Sequence, residues 1–253
     1  MSTKKGPIHS LGGHLRDAFI SVFPVEMKTP RGLTVFLRNR SEMSVFHDTF
    51  VRRVYPFDAI RPRLAGIPAP IVFDVGANSG LFTAAVMDLW PGAVIHAFEP
   101  QPPQAKRVAE FARLNHLAER ITVNAAAAGG QAGVREFYAN RNPISSSLIR
   151  EKAARRRIHR TWKVPVMRLD DYATEKKLPR VDMLKVDVEG SEYEVLDGAA
   201  RIVASARVIL LEVHPPYSRF GEAARRLAPM GFRCIAPLPP PTDEDQITVA
   251  FVR

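Results

Sequence analysis

The stretch Ile71-Val72-Phe73-Asp74-Val75-Gly76-Ala77-Asn78-Ser79-Gly80 runs directly into Leu81-Phe82-Thr83-Ala84-Ala85-Val86-Met87. A short apolar run rich in β-formers ends in an acid, breaks into small residues and leads into a helix start. That order predicts a buried parallel strand, a tight glycine turn and a helix. Gly76 can adopt positive φ and Gly80 lets a helix lie close to a strand, so a ligand can approach bare backbone. A turn of this kind at the C-terminal end of a strand is where open α/β sheets bind nucleotides and cofactors.

Outward from that turn, strands and helices alternate. Residues 93–98 predict a second strand ending in Glu99-Pro100, residues 104–115 a helix with apolar Val108, Phe111, Ala112 and Leu114, and residues 121–125 a third strand. Residues 133–138 read as half of a hairpin and residues 163–169 as a later strand. A fourth core strand is expected at 181–188, a helix from Ser191 to about Ala204, and a fifth strand at 207–213. A helix over 217–230 and closing strands near 232–237 and 247–252 complete the pattern. Near-continuous Val/Ile/Leu runs alternating with helices predict an α/β fold, a mostly parallel doubly wound sheet, and the terminal pair an antiparallel edge hairpin.

Upstream, residues 1–69 read as irregular, punctuated by Pro7, Pro24, Pro30, Pro56, Pro62 and Pro68. Residues 34–38 resemble a short strand. Residues 41–51 resemble a helix with Ser41 at the N-cap and Phe46 and Phe50 on its apolar face. This extension has too little core to stand alone and is expected to pack on the main domain, residues 70–253.

At 253 residues the chain fits one large domain with an extension, because a single core is sustainable to about 250–300 residues. No apolar run approaches the ~18–20 residues needed to span a bilayer. The start, Met1-Ser2-Thr3-Lys4-Lys5-Gly6, is basic, but no signal-type apolar region follows it. The lone Cys234 rules out an internal disulfide and suits a reducing compartment, so a cytoplasmic location is expected.

The net charge of +10, with a pI near 10.1, favours anionic partners, nucleic acid included. The densest block, residues 150–163, carries Arg150, Lys152, Arg155, Arg156, Arg157, Arg160 and Lys163. It reads as a solvated, mostly helical excursion or as a surface for phosphate or an acidic substrate. Trp162 is its only aromatic, so the stacking pattern of single-strand binders is weak.

A nicotinamide dinucleotide site would carry G-x-G-x-x-G. Here Asn78 replaces the glycine that lets a helix N-terminus touch a pyrophosphate, which argues against a dinucleotide. Asp74, just before the turn, can instead accept hydrogen bonds from a cationic amino group such as that of S-adenosylmethionine, and Glu99 fits two ribose hydroxyls in either case.

Four segments then carry a family resemblance: Phe73 to Gly80; Ala97-Phe98-Glu99-Pro100; Leu184-Lys185-Val186-Asp187-Val188-Glu189-Gly190-Ser191-Glu192 with Val195-Leu196-Asp197-Gly198-Ala199; and Glu212-Val213-His214. Together they resemble the FkbM-type methyltransferases over roughly residues 41–215. The resemblance implies an S-adenosylmethionine-dependent enzyme with the class I Rossmann-like fold, methylating most often a hydroxyl of a sugar, glycolipid or natural product. It implies that Asp74, Gly76, Asn78 and Gly80 take the methionine end of the cofactor, Glu99 the ribose, and Asn124 to Ala126 the adenine. Ser145-Ser146-Ser147-Leu148 also resembles a family segment. The Arg-rich stretch after it and the Pro-rich tail match no family motif. The N-terminal segment and residues 140–163 are expected to cover the acceptor side.

Methyl transfer to a hydroxyl needs alignment of acceptor, methyl and sulfur, and removal of a proton by a base or a metal. The candidates lie at strand ends: Asp187 and Glu189 after the fourth strand, Glu212 and His214 at the fifth. Strand alternation puts Lys185 and Asp187 on one face, either as a structural ion pair or with Asp187 as base, proton acceptor or metal ligand. Glu189 either acts in the site or favours the positive end of the next helix. His214 titrates near neutrality and is either a base or a strand terminator. Asp187, Glu189 and His214 together are a candidate divalent-metal site.

His214-Pro215-Pro216-Tyr217 raises a nucleic-acid alternative, since amino-methyltransferases of DNA and RNA use a D/N/S-P-P-Y/F motif. The first position here is His, and the tetrapeptide follows the fifth strand rather than the fourth. A small-molecule or glycan acceptor is therefore the leading expectation. A cofactor-binding module that has lost catalysis is the remaining alternative.

Overall fold

The computed structural model describes residues 23–141, 145–237 and 241–253. The basic start of the chain, Pro7, residues 142–144 of the expected cover and residues 238–240 of the Pro-rich tail lie outside the described residues.

The chain enters through a hairpin, β1 (Val25–Lys28) and β2 (Thr34–Leu37), followed by α1 (Arg40–His47), a π-helical turn at Asp48–Arg52, α2 (Phe57–Ile60) and a 3-10 turn at Arg61–Leu64. Then β3 (Ile71–Val75), α3 (Leu81–Leu89), β4 (Val94–Phe98), α4 (Pro102–Leu114) and β5 (Ile121–Asn124) alternate. A side sheet follows, with β6 (Ala127–Ala128), β7 (Gly133–Asn140), α5 (Arg150–Ala154) and β8 (Ile158–Met167). Next come α6 (Leu169–Glu175), β9 (Met183–Val186), α7 (Glu192–Asp197), α8 (Ala200–Ser205) and β10 (Val208–Val213). The chain closes with α9 (Phe220–Leu227), β11 (Arg233–Ala236) and β12 (Ile247–Val252).

The main sheet has seven strands in the order β11-β12-β10-β9-β3-β4-β5. β10, β9, β3, β4 and β5 pair in parallel, and β12 runs antiparallel to both β10 and β11. The expected antiparallel hairpin therefore closes one edge, with β12 inserted beside β10. Alternating side chains feed two cores. Val72, Ile95, Met183 and Leu210 face the extension, α3 and α4. Phe73, Phe98, Leu184 and Leu211 face α6 to α9. Burial on both faces is why these strands read as unbroken apolar runs.

Local expectations needed four corrections. In the described part of the extension, residues 23–69, the expected strand and helix are β2 and α1, but β1, α2 and the 3-10 turn order stretches that read as irregular. The cap of α1 is Asn39, not Ser41: its side chain accepts the Glu42 N–H at 2.9 Å, and Glu42 reaches back to the Arg38 N–H at 2.7 Å. The Asn39-x-x-Glu42 spacing is the capping-box signal. The expected helix from Ser191 splits at Gly198, where a Cβ would meet the Gly129 carbonyl oxygen at 2.1 Å. Asp170 then caps α8 through the Arg201 and Ile202 N–H groups, both at 3.0 Å. Finally, the Arg-rich block is helical only in α5, and β8 occupies most of the rest. Its Val164 and Val166 alternate inward against Phe137 and Leu148 while charged neighbours face water, so the strand expected at 163–169 begins earlier, at Ile158 inside the block.

Candidate active site

A cavity of about 320 Å³ opens at the C-terminal ends of β3, β4, β9 and β10. One wall is the Gly76-Ala77-Asn78-Ser79 turn with Glu99, Pro100 and Gln101 after β4. The floor carries Lys185, Asp187, Val188 and Glu189 after β9, and Glu212 of β10. Ala127, Ala128, Phe137, Ser146 and Leu148 close one side. The extension closes another with Val45, Asp48, Thr49, Val54 and Tyr55, and Gln246 and Thr248 complete the rim.

The turn owes its shape to two close approaches. Gly76 has φ +79°, and a Cβ on it would meet the Asp187 carbonyl oxygen at 1.8 Å. Its missing side chain thus admits the neighbouring strand end. Gly80 (φ +85°) packs toward Val108 of α4, where a Cβ would find a neighbour at 3.4 Å. Asn78 takes the left-handed conformation with φ +49°, which asparagine tolerates better than most residues. Its N–H donates to Glu99 Oε2 at 2.7 Å, and its side-chain oxygen accepts from Gln104 at 2.9 Å.

Glu99 also accepts the Gln101 N–H, at 2.8 Å. Burial pushes its carboxyl up to about 7 despite those two backbone donors. Asp74 does not line the cavity. It is fully buried, accepting from the Thr83 hydroxyl at 2.7 Å and lying 3.2 Å from the Lys185 ammonium. Lys185 in turn donates to the Gly76 carbonyl oxygen at 2.7 Å and sits 3.6 Å from Asp187. Burial opposes its charge, but Asp74 and Asp187 outweigh that and raise its pKa. Asp74 therefore reaches the turn through Lys185.

Gly80, Asn124, Ala126 and His214 do not line the cavity either. Asn124 turns its amide to the Ala97 carbonyl at 3.2 Å and the Tyr172 hydroxyl at 3.3 Å. Ala127 and Ala128 occupy the wall that residues 124–126 were expected to supply. Of residues 140–163, only Ser146 and Leu148 reach the cavity among the described residues, and the arginines do not.

His214 lies just behind the floor, 1% exposed. Its Nδ1 is 2.9 Å from Glu192 Oε1, while Nε2 lies 3.5 Å from Glu189, 3.5 Å from Glu212 and 3.9 Å from Asp187. Burial alone would lower its pKa. Contacts with Glu189 and Glu192 reverse this and push it up to about 11. Glu212 is pushed up to about 7 by burial and by Asp187. Glu189 is held below the usual carboxylate range, burial being outweighed by His214 and Lys152, whose ammonium lies 2.5 Å away. The Ser147 hydroxyl donates to the Glu189 carbonyl oxygen at 2.7 Å, so the serine-rich segment clamps this loop.

The methyltransferase FkbM domain matches residues 74–234, from the end of β3 into β11. The chain belongs to the FkbM methyltransferase family. It is 29% identical, over 83% of its length and 89% of the relative's, to the 31-O-demethyl-FK506 methyltransferase FkbM of Streptomyces tacrolimicus. It is 27% identical to the 2-O-methyltransferase NoeI of Sinorhizobium fredii, over 57% of this chain and 63% of that one. In fold it is similar to the methyltransferase FkbM of Methylobacillus flagellatus, with a TM-score of 0.53 at 16% identity, covering 75% of this chain and 46% of that structure.

This FkbM-family methyltransferase thus has a two-ended cavity: a glycine turn with a buried carboxylate at one end, three carboxylates backed by a histidine at the other. The N-terminal segment was expected to cover the acceptor side, but no residue of the wall it builds was singled out. Tyr55 is its clearest member: burial raises its hydroxyl pKa, and the charges of Lys185, Asp187 and Glu212 act on it. No motif marks it, because it reaches the site only through packing on Phe57 and Phe82. The His214 to Tyr217 tetrapeptide does not enter the cavity, and Tyr217 lies beneath the Arg155 guanidinium, 5.4 Å from its ring centre. Among the described residues no helix is long and apolar enough to cross a membrane.

Proposed function

We propose that this methyltransferase uses S-adenosylmethionine to methylate a hydroxyl on a small molecule or glycan. The observation carrying this is one continuous cavity joining the glycine turn and Glu99 to the Asp187, Glu189 and Glu212 carboxylates. The residues fit the cofactor: bare backbone at Gly76 to Asn78, a buried carboxylate at Glu99 able to accept from ribose hydroxyls, and the small side chains of Ala127 and Ala128 as a flat wall. When bound, the cofactor supplies an electrophilic methyl group on a sulfonium.

The chain's own groups do the rest. Glu99 orients the ribose end, Lys185 and Asp74 hold the turn, and the N-terminal wall with Tyr55 positions the acceptor. The carboxylates of Asp187, Glu189 and Glu212 form the proton-accepting surface, with His214 ordering them from behind. Relatives named as a 31-O-demethyl-FK506 methyltransferase and as a 2-O-methyltransferase support a hydroxyl acceptor. A nucleic-acid acceptor is disfavoured because the arginines of residues 150–163 lie off the cavity. The single Cys234 suits a reducing cytoplasmic setting.

Calorimetry tests the donor: S-adenosylmethionine or its demethylated product should bind, and Glu99→Ala should weaken it. Asp187→Asn should lower turnover, read by mass spectrometry as gain of one methyl group on a hydroxylated acceptor. Folded wild-type protein that binds neither form of the cofactor would overturn the proposal.

A further inference from the structure

The three side chains Asp187, Glu212 and His214 can each offer one ligand atom, and these atoms lie within 4.8 Å of one another. Asp187 and Glu212 face the cavity; His214 is buried behind them. The sequence pattern grouped Glu189 rather than Glu212 with the other two. The structure differs because Glu189 Oε2 is engaged by Lys152, while β10 pairs in parallel with β9 (Leu210 with Lys185, Leu211 with Val186). Continuing that register brings Glu212 beside Asp187.

We propose that Asp187, Glu212 and His214 bind a first-row divalent cation at the floor of the acceptor end of the cavity.

Three features carry this. First, His214 Nδ1 is held at 2.9 Å by the fully buried Glu192, whose same oxygen accepts the Gly190 N–H at 2.8 Å. A histidine whose far nitrogen is fixed by a carboxylate, with the near one free, is the usual arrangement behind a metal-bound imidazole. Second, His214 Nε2 is buried without a hydrogen-bond partner. Three carboxylates surround it without closing to an ordinary hydrogen bond: Glu189 and Glu212 at 3.5 Å and Asp187 at 3.9 Å. Third, metal–ligand bonds of about 2.0–2.2 Å place neighbouring ligand atoms roughly 3–4 Å apart, which matches those separations.

An imidazole with two carboxylates is a mixed donor set suited to Mn²⁺, Fe²⁺ or Zn²⁺. Three protein ligands leave coordination positions open toward the cavity, where an acceptor hydroxyl and a neighbouring oxygen of the same molecule can enter. The chemical class favoured is therefore an acceptor with two adjacent oxygens, such as a vicinal diol or a hydroxy acid. Glu189, held by Lys152, remains as the unligated carboxylate. This deepens the functional proposal and rests on it only for the identity of the acceptor.

The test is titration of the metal-stripped full chain with Mn²⁺, followed by electron paramagnetic resonance. The expected result is one site per chain, lost or weakened roughly tenfold or more in Glu212→Gln, a cavity-wall change, and in His214→Gln. Cofactor binding by the same samples is measured in parallel. Wild-type protein that binds the cofactor but leaves the Mn²⁺ signal unchanged overturns the metal site and spares the functional proposal. Mn²⁺ binding that Glu212→Gln does not weaken overturns it as well.

Discussion

A Cβ on Gly76 would stand 1.8 Å from the carbonyl oxygen of Asp187, so the glycine turn and the carboxylate floor are one steric unit. Replacing Gly76 with alanine must push β3 and β9 apart or distort the turn, in addition to the left-handed cost of roughly 1–2 kcal/mol for a residue with a side chain. Gly76→Ala is expected to lose both stability and cofactor affinity. Gly80→Ala pays the same conformational cost but meets Val108 no closer than 3.4 Å. Its loss should stay near ~1–2 kcal/mol. Urea denaturation of the two variants checks the contrast, and equal losses would refute it.

Glu99 predicts how cofactor binding depends on pH. Its pKa lies near 7 because burial disfavours the charge. In the proposed binding mode ribose hydroxyls donate to the ionised carboxylate, so binding selects the deprotonated form and releases a proton. Affinity should rise as pH climbs through about 7, by roughly tenfold between pH 6 and 8. Calorimetry at the two values checks this. Glu99→Gln should bind more weakly and show no such rise.

The buried ion pair between Glu42 and Arg107 ties the extension to the main domain. Arg107 of α4 donates to Glu42 Oε2 at 2.7 Å and to the Phe36 carbonyl oxygen at 2.9 Å. The two side chains are only 3% and 12% exposed. Breaking one partner of a buried pair costs about 3–5 kcal/mol, since the other charge is left desolvated. Glu42→Gln should therefore destabilise the protein and loosen the cavity wall built by α1 and the turn after it. Hydrogen exchange should show faster exchange across residues 40–60, with the β3–β4 region changed less. Uniform exchange across the chain would contradict this coupling.

Much of the core was legible locally. Strand 71–75, its glycine turn and the following helix follow from apolar runs and φ-permissive residues a few positions apart. Glu99 was legible for the same reason, standing at the end of an apolar strand. The valines of β8 marked a strand from residue 163, but the density of arginines hid its first half from Ile158, and Asn39 was hidden by the nearer Ser41.

The sequence by itself determined the order of elements, the parallel sheet and the strand ends where the site would lie, because each depends on periodicity and backbone preference within one short segment. Only the tertiary structure decided which side chains meet there. Pairing of β3 with β9 sets Asp74 against Lys185 and withdraws it from the cavity. Pairing of β9 with β10 brings Glu212 to Asp187 and His214. Packing of the extension delivers Tyr55. These meetings depend on the register and packing of distant segments, which no local pattern encodes.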